Sequence, residues 1–216
     1  LHFISAEPYV MRYTRFVAKG INVKIRKLSL RHIAFPQAEI KTRFVGDDEK
    51  MAKIYDAAVE TFRANAVDIY MDCPSRERAG WLCDSFFTSR VEYALTGKAT
   101  LEKCFLENFL LSEKFEFLPE GMLPMCYPGD HNDKTFIPNW AMWYVLELGE
   151  YFKRTGDKAF VEKAKPRMLA LLNYFKRFEN EYGLLEKLES WVFVEWSRSN
   201  ALVQDVSFPT NMIYAL

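Results

Sequence analysis

The chain has 216 residues, half of them hydrophobic and 16% aromatic, which is enough material for a substantial core and argues against disorder. Its 29 basic residues balance 29 acidic ones, so no net field draws it to nucleic acid or to an anionic membrane surface, and a neutral partner such as a sugar fits better. The longest apolar runs, such as AMWYVLELG, are too short to span a bilayer.

The chain opens LHFISAEPYV, without an initiator Met or a basic-then-apolar leader. It is expected to begin inside a larger protein or after processing, and the compartment stays open between cytoplasm and periplasm. Cys73, Cys83, Cys104 and Cys126 show no CxxC spacing and no His/Cys ligand cluster, so no metal site is expected. Two disulfides are arithmetically possible, but four mostly buried thiols suit a chain with this much core.

Residues 1–45 alternate in side-chain character through VMRYTRFVAKG and INVKIRKLSLRHIAF, with Gly20 as a turn. They read as the C-terminal strands of a β-domain followed by a linker. An isolated hairpin is marginal in water, so these strands need a sheet or a helical surface to lie on.

From Asp47 the period becomes helical. Met51, Ile54, Tyr55, Ala58, Phe62 and Ala66 fall on one helical face, with Asp47 or Asp48 placed to cap it. Pro74 ends any continuation. Further helices are predicted over about 81–96, 99–115, 139–155 and 158–180, with Pro166 marking a kink or break in the last. A loop with Pro119, Gly121, Pro124, Pro128 and Gly129 separates the two pairs. The junctions ALTGKATLE and KRTGDKAFVE share the form helix, Thr-Gly, polar residue, helix, and lie 59 residues apart. Gly97 and Gly156 supply the left-handed residue that such endings want. The spacing predicts a repeated two-helix unit, which can stack as an open solenoid or close as an α/α toroid. After Trp196 the chain stops as a new helix begins.

Asp72, Glu77 and Asp84 stand within thirteen residues, in DCPSRERAGWLCD, interleaved with Arg76 and Arg78 and beside Trp81. Glycoside cleavage needs one carboxylic acid to protonate the leaving oxygen and one carboxylate to activate water or attack carbon. It also wants an aromatic face for the apolar side of a sugar ring. On composition alone the stretch reads more readily as a solvated, salt-bridged loop.

The same stretch resembles the acid-bearing signature of the α-L-rhamnosidases of glycoside hydrolase family 78, of the form D-C/G-P-x-R-E-x-x-G-W-x-G-D. Asp72, Cys73, Pro74, Arg76, Glu77, Gly80, Trp81 and Asp84 match it in place, and Cys83 stands where the family usually has Gly. The resemblance implies that Glu77 is the general acid, that Asp72 and Asp84 hold sugar hydroxyls or tune the acid, and that Trp81 lines the rhamnose pocket. TFRANAVDIYMDCP is similar to the helix that precedes the signature. The Pro-Trp segment around IPNWAMW is similar to a later one, which makes Trp140 a second aromatic of the pocket or a core tryptophan. FVEWS, at 193–197, stands where members commonly show F-G-D-W, and assigns Glu195 and Trp196 to the substrate. His131, in the GDHND loop, reads as solvated only.

The resemblance further implies a mainly α fold: the N-terminal half of an (α/α)6 toroid over residues 46–216, after the last strands of a β-sandwich domain over 1–45. The expected reaction is inverting release of terminal α-L-rhamnose from a rhamnose-containing glycan or glycoside, as in a bacterial glycosidase, without a cofactor or metal. Glu77 would be protonated at working pH, with Arg76 and Arg78 pointing away or paired elsewhere. The general base is expected beyond Leu216, in the remainder of the catalytic domain, so this chain alone would be inactive. Two alternatives stay open. One is a non-catalytic helical-repeat module that binds a carbohydrate or a protein, and the other is a toroid glycosidase with a different sugar preference.

Overall fold

The helical periods become six α-helices and one 3-10 turn among the described residues of the computed structural model, which are 8–20, 22–35, 39–129 and 134–216. They are α1 (Glu49–Asn65), α2 (Leu82–Thr96), α3 (Thr100–Leu111), α4 (Pro138–Thr155), α5 (Lys158–Lys176) and α6 (Phe208–Tyr214), with the 3-10 turn at Arg198–Val203. Residue 131 lies outside the described residues.

Local chemistry sets the boundaries. Asp48 caps α1, its Oδ1 accepting the N–H groups of Lys50 at 2.8 Å and Met51 at 3.2 Å. Asp157 caps α5 in the same way through Phe160. Gly97 and Gly156 end α2 and α4 with φ of 67° and 68°, so the two Thr-Gly junctions are left-handed stops. α5 runs unbroken through Pro166, which is exposed, so the carbonyl left without its N–H partner faces water.

α2 and α4 form the broadest contact between helices, and α6 also packs on α4. Behind this row, α1 backs α2, α3 fills the groove of α2 and α4, and α5 backs α4. Their shared core buries Leu82, Phe105, Phe109, Tyr144, Leu148, Leu171 and Phe175 completely. Each such side chain contributes about 1.5–3 kcal/mol. The inward face of α1 is Val59, Phe62 and Ala66, whereas Met51 and Ile54, expected on that face, are exposed. α1 meets only α2 broadly, so a narrow stripe suffices.

The strands expected over 1–45 are not formed among the described residues, where 8–20, 22–35 and 39–45 contain neither strand nor helix. A strand exists only with a partner, and among the described residues no second strand runs beside this segment. Tyr9, Tyr13, Val17, Ile25 and Leu30 are all exposed. The segment meets the helices at 39–45, where Lys41 N–H donates to the Leu95 carbonyl at 2.8 Å. No helix among the described residues is long and apolar enough to cross a membrane.

A polar network runs through the helical layer. The Glu92 carboxylate receives the Tyr70 hydroxyl and caps α3, accepting from Leu101 N–H and Glu102 N–H at 2.9 Å each. Glu102 pairs with Arg154, which also bridges to Glu150, itself paired with Arg90. Burial pushes Glu102 up to about 7 in spite of the Arg154 guanidinium. Glu147 is completely buried, accepts only the Ser85 hydroxyl, at 2.6 Å, and has an unpartnered second oxygen. Burial therefore holds its carboxyl well above 4.5.

This has a measurable sign. The unfolded carboxyl ionises near 4.5 and the folded one far higher, so the contribution of Glu147 to stability is whole below the lower value and is lost as pH rises toward the upper. The thermal midpoint of the wild type is expected to fall more between about pH 5 and about pH 8 than that of Glu147→Gln, by roughly 2–4 °C per kcal/mol involved. Thermal melts at the two pH values check this, and equal slopes would contradict it.

Candidate active site

The carboxylates sit on a loop held at both ends. Residues 66–81 leave α1 through a bridge of Ala66 with Tyr70 and close on themselves at Asp72. Its N–H donates to the Ala79 carbonyl at 3.1 Å, and its Oδ1 accepts the Ala79 N–H at 3.0 Å. The loop then pairs with residues 125–127: Tyr127 N–H donates to Gly80 at 3.2 Å and Leu82 N–H to Met125 at 3.1 Å, around a bridge of Trp81 with Cys126. A Cβ on Gly80 would stand 2.8 Å from the Phe105 ring and 2.9 Å from the Tyr127 carbonyl, so only glycine lets the loop approach this closely.

This brings Asp72, Glu77, Trp81 and Asp84 together. Trp81 donates its indole N–H to Glu77 Oε2 at 3.2 Å. Glu77 and Asp72 stand side by side, and both bear on Asp84. Burial would raise Asp72, but the Cys73 thiol, the Ala79 N–H, Glu77 and the Cys73 N–H together hold it below the usual carboxylate range. Asp84, in the first turn of α2, is pushed up to about 6 by burial and by the charges of Asp72 and Glu77. The Cys83 thiol beside it is pushed up to about 12 by burial and by Asp84, so it is a neutral packing group and no nucleophile.

Two details depart from expectation. Arg76, expected to point away, ion-pairs with Glu77 Oε1 at 2.5 Å, while Arg78 is engaged elsewhere, donating to the Pro8 carbonyl at 2.9 Å. The strongly buried member of the trio is Asp84, because it stands on a helix packed in the core while Glu77 is on the outer turn of the loop with 37% of its side chain exposed.

An aromatic wall adjoins the carboxylates. Trp140, in the first turn of α4, meets Trp81 edge-on at 5.6 Å between centroids and Phe193 at 5.4 Å. Phe193 touches Trp191 at 5.0 Å and Trp196 at 4.8 Å. Trp196 is 84% exposed, a flat platform at the end of the row. There a depression of about 400 Å³ is lined by Trp191, Phe193, Glu195, Trp196 and Arg198, and Glu195 accepts the Ser197 hydroxyl. The sequence reading named Trp140, Glu195 and Trp196 but missed Trp191 and Phe193, whose signal was only aromatic density near FVEWS. Among the described residues no group of three or more His, Cys, Asp or Glu is arranged to hold a metal ion.

The model of the bacterial α-L-rhamnosidase six-hairpin glycosidase domain matches residues 40–214. The chain belongs to that family. Relatives include the α-L-rhamnosidase of Formosa agariphila, 25% identical over 72% of this chain and 17% of its own length, and that of Alteromonas sp. strain LOR, 22% identical over 80% and 20%. The chain thus spans about a fifth or less of the curated relatives it matches. The glycoside hydrolase family 78 rhamnosidase of Bacillus sp. GL1 shares the fold with a TM-score of 0.66, at 23% identity over 77% of this chain and 17% of that one. The Klebsiella oxytoca rhamnosidase with rhamnose bound does so at 0.62, with 21% identity over 84% and 35%. The helices here are accordingly hairpins of a six-hairpin glycosidase domain.

In this glycosidase domain the repulsion among the trio is directly testable. Asp72→Asn keeps the acceptor for Ala79 N–H but removes the charge, so Asp84 is expected to titrate below about 6, toward the ordinary carboxylate range. Carbon-13 NMR titration of the aspartate carboxyls checks this, and an unmoved Asp84 would mean that burial alone raises it.

Proposed function

We propose that this domain hydrolyses terminal α-L-rhamnosides with inversion, Glu77 acting as general acid. The observation that carries the reading is the convergence of three carboxyls on an aromatic wall: Trp81 donates its indole N–H to Glu77 and meets Trp140 edge-on, with Asp72 and Asp84 beside them. Glu77 would deliver a proton to the glycosidic oxygen as the bond to the anomeric carbon breaks. Asp72 and Asp84 would bind sugar hydroxyls, Trp81 and Trp140 would face the apolar side of the ring, and Glu195 and Trp196 would contact the next part of the substrate.

An inverting pair stands about 6.5–9.5 Å apart with water between its members. Asp72, which stands beside Glu77, is too near it to leave room for that water. We therefore assign the general base to hairpins outside residues 1–216, which complete the toroid begun by 46–216. Residues 1–45 are read as the end of a β-domain that is unpaired here, a reading supported by exposed apolar side chains such as Tyr9, Tyr13, Val17, Ile25 and Leu30, which a sheet would cover.

The test is steady-state turnover of an aryl α-L-rhamnoside by three samples: this chain, a longer chain carrying the further hairpins, and that longer chain with Glu77→Gln. The longer chain is expected to turn over, this chain to be inactive, and Glu77→Gln to lose about 10²–10⁴-fold in kcat with sugar binding retained. Robust turnover by the short chain would place the base within it, Glu195 first. An unaffected Glu77→Gln would remove the acid assignment.

A further inference from the structure

The aromatic wall depends on one buried amide. Asn139, in the first turn of α4 and only 3% exposed, spends both ends of its side chain on the backbone of Phe193. Its Nδ2 donates to the Phe193 carbonyl at 2.6 Å and its Oδ1 accepts the Phe193 N–H at 3.3 Å. Residues 191–194 are in neither helix nor strand, so the amide takes the place of a strand neighbour for buried backbone groups that need partners. Further ties hold the ends of the segment: Trp191 N–H to the Phe136 carbonyl at 3.1 Å, and Val194 N–H to Asn200 Oδ1 at 2.8 Å. The middle of the segment is joined to α4 through Asn139.

That placement has leverage because Phe193 touches Trp140, Trp191 and Trp196 at once. Trp140 follows Asn139 directly in α4 and meets Trp81, whose indole N–H is on Glu77. Gln204 also donates to the Val192 carbonyl at 3.1 Å, but only Asn139 ties both backbone groups of Phe193, the ring on which Trp140, Trp191 and Trp196 meet. We propose that Asn139 is a positioning residue for the sugar site: too buried to touch substrate, it holds the outer half of the aromatic wall where a sugar bound at Asp72, Glu77 and Asp84 meets it. The proposal rests on the rhamnoside reading for the identity of the sugar, and on geometry alone for the hold on the wall.

The experiment compares wild type, Asn139→Ala, Asn139→Asp and the core truncation Leu171→Ala in the full chain. Near-ultraviolet circular dichroism without sugar reads the packed tryptophans, and fluorescence titration with L-rhamnose reads binding. Asn139→Ala leaves a buried N–H and carbonyl without partners and is expected to weaken rhamnose binding about ten-fold and to lose much of the near-ultraviolet signal, with helicity kept. Asn139→Asp keeps the acceptor but sets a carboxylate against the Phe193 carbonyl, and is expected to show the same losses. It serves as the reading should the alanine variant fail to fold. Leu171→Ala is expected to lower the thermal midpoint while leaving both readouts at wild-type values. Wild-type affinity and near-ultraviolet signal in folded Asn139 variants would overturn the proposal, as would equal losses in Leu171→Ala. A wild-type chain that binds no rhamnose, while the Asn139 variants still lose the near-ultraviolet signal, would fail the rhamnoside reading and uphold the hold of Asn139 on the wall.

Discussion

The site depends on how closely one backbone approaches another. Residues 80–82 and 125–127 exchange two hydrogen bonds around the bridge of Trp81 with Cys126, and Gly80 lies against both the Phe105 ring and the Tyr127 carbonyl. A side chain at position 80 would push the loop off that surface, and Trp81, which opens α2, would move with it. Glu77 and Asp72 are tied into the same loop through Trp81 and Ala79. Asp84 rides on the first turn of α2 immediately after. The relative placement of three carboxyls is thus fixed by main-chain contacts, which are stiffer than the side chains they carry.

Crowding three carboxyls is unfavourable unless at least one holds a proton, and the fold distributes that strain by burial and hydrogen bonding. Burial would raise Asp72, but it is held below the usual carboxylate range because it collects donors from Cys73 and Ala79. Asp84, on a helix packed in the core, gives way and titrates near 6. At the next residue of α2, Ser85 donates to Glu147, so the layer behind the site is also held by a carboxyl kept neutral. The site and the core beneath it respond to pH in the same direction: both hold protons on buried acids that an exposed carboxyl would release.

Much of this was legible in the sequence, for identifiable reasons. Five helices followed from apolar periodicity, from caps and from the Thr-Gly stops at Gly97 and Gly156, which are local signals. The signature around Glu77 was legible because its spacing is tight and it lies between a helix end and a helix start. The inward face of α1 was not, since apolar residues run around much of that helix and only contact with α2 selects Val59 and Phe62. Strand formation at 8–45 could not be read from alternation, because pairing is a property of two segments. The wall formed by Trp191 and Phe193 was hidden for the same reason: Asn139 and Phe193 are 54 residues apart, and the hydrogen bonds joining them leave no local pattern. The pairing of Arg76 with Glu77 depends on rotamers that spacing does not specify.

The central claim is that the carboxyl trio and the aromatic wall form one sugar site. The five tryptophan indole N–H groups give separate NMR reporters, and they divide usefully. Trp81 and Trp140 border the proposed site, whereas Trp143 packs against Phe86 and Phe87. Titration with L-rhamnose, followed by nitrogen–proton correlation spectra of these indoles, is predicted to move the Trp81 and Trp140 resonances together along one saturable curve and to leave Trp143 in place. Movement of Trp143 with Trp81 unmoved, or no indole response at saturating rhamnose, would contradict the account.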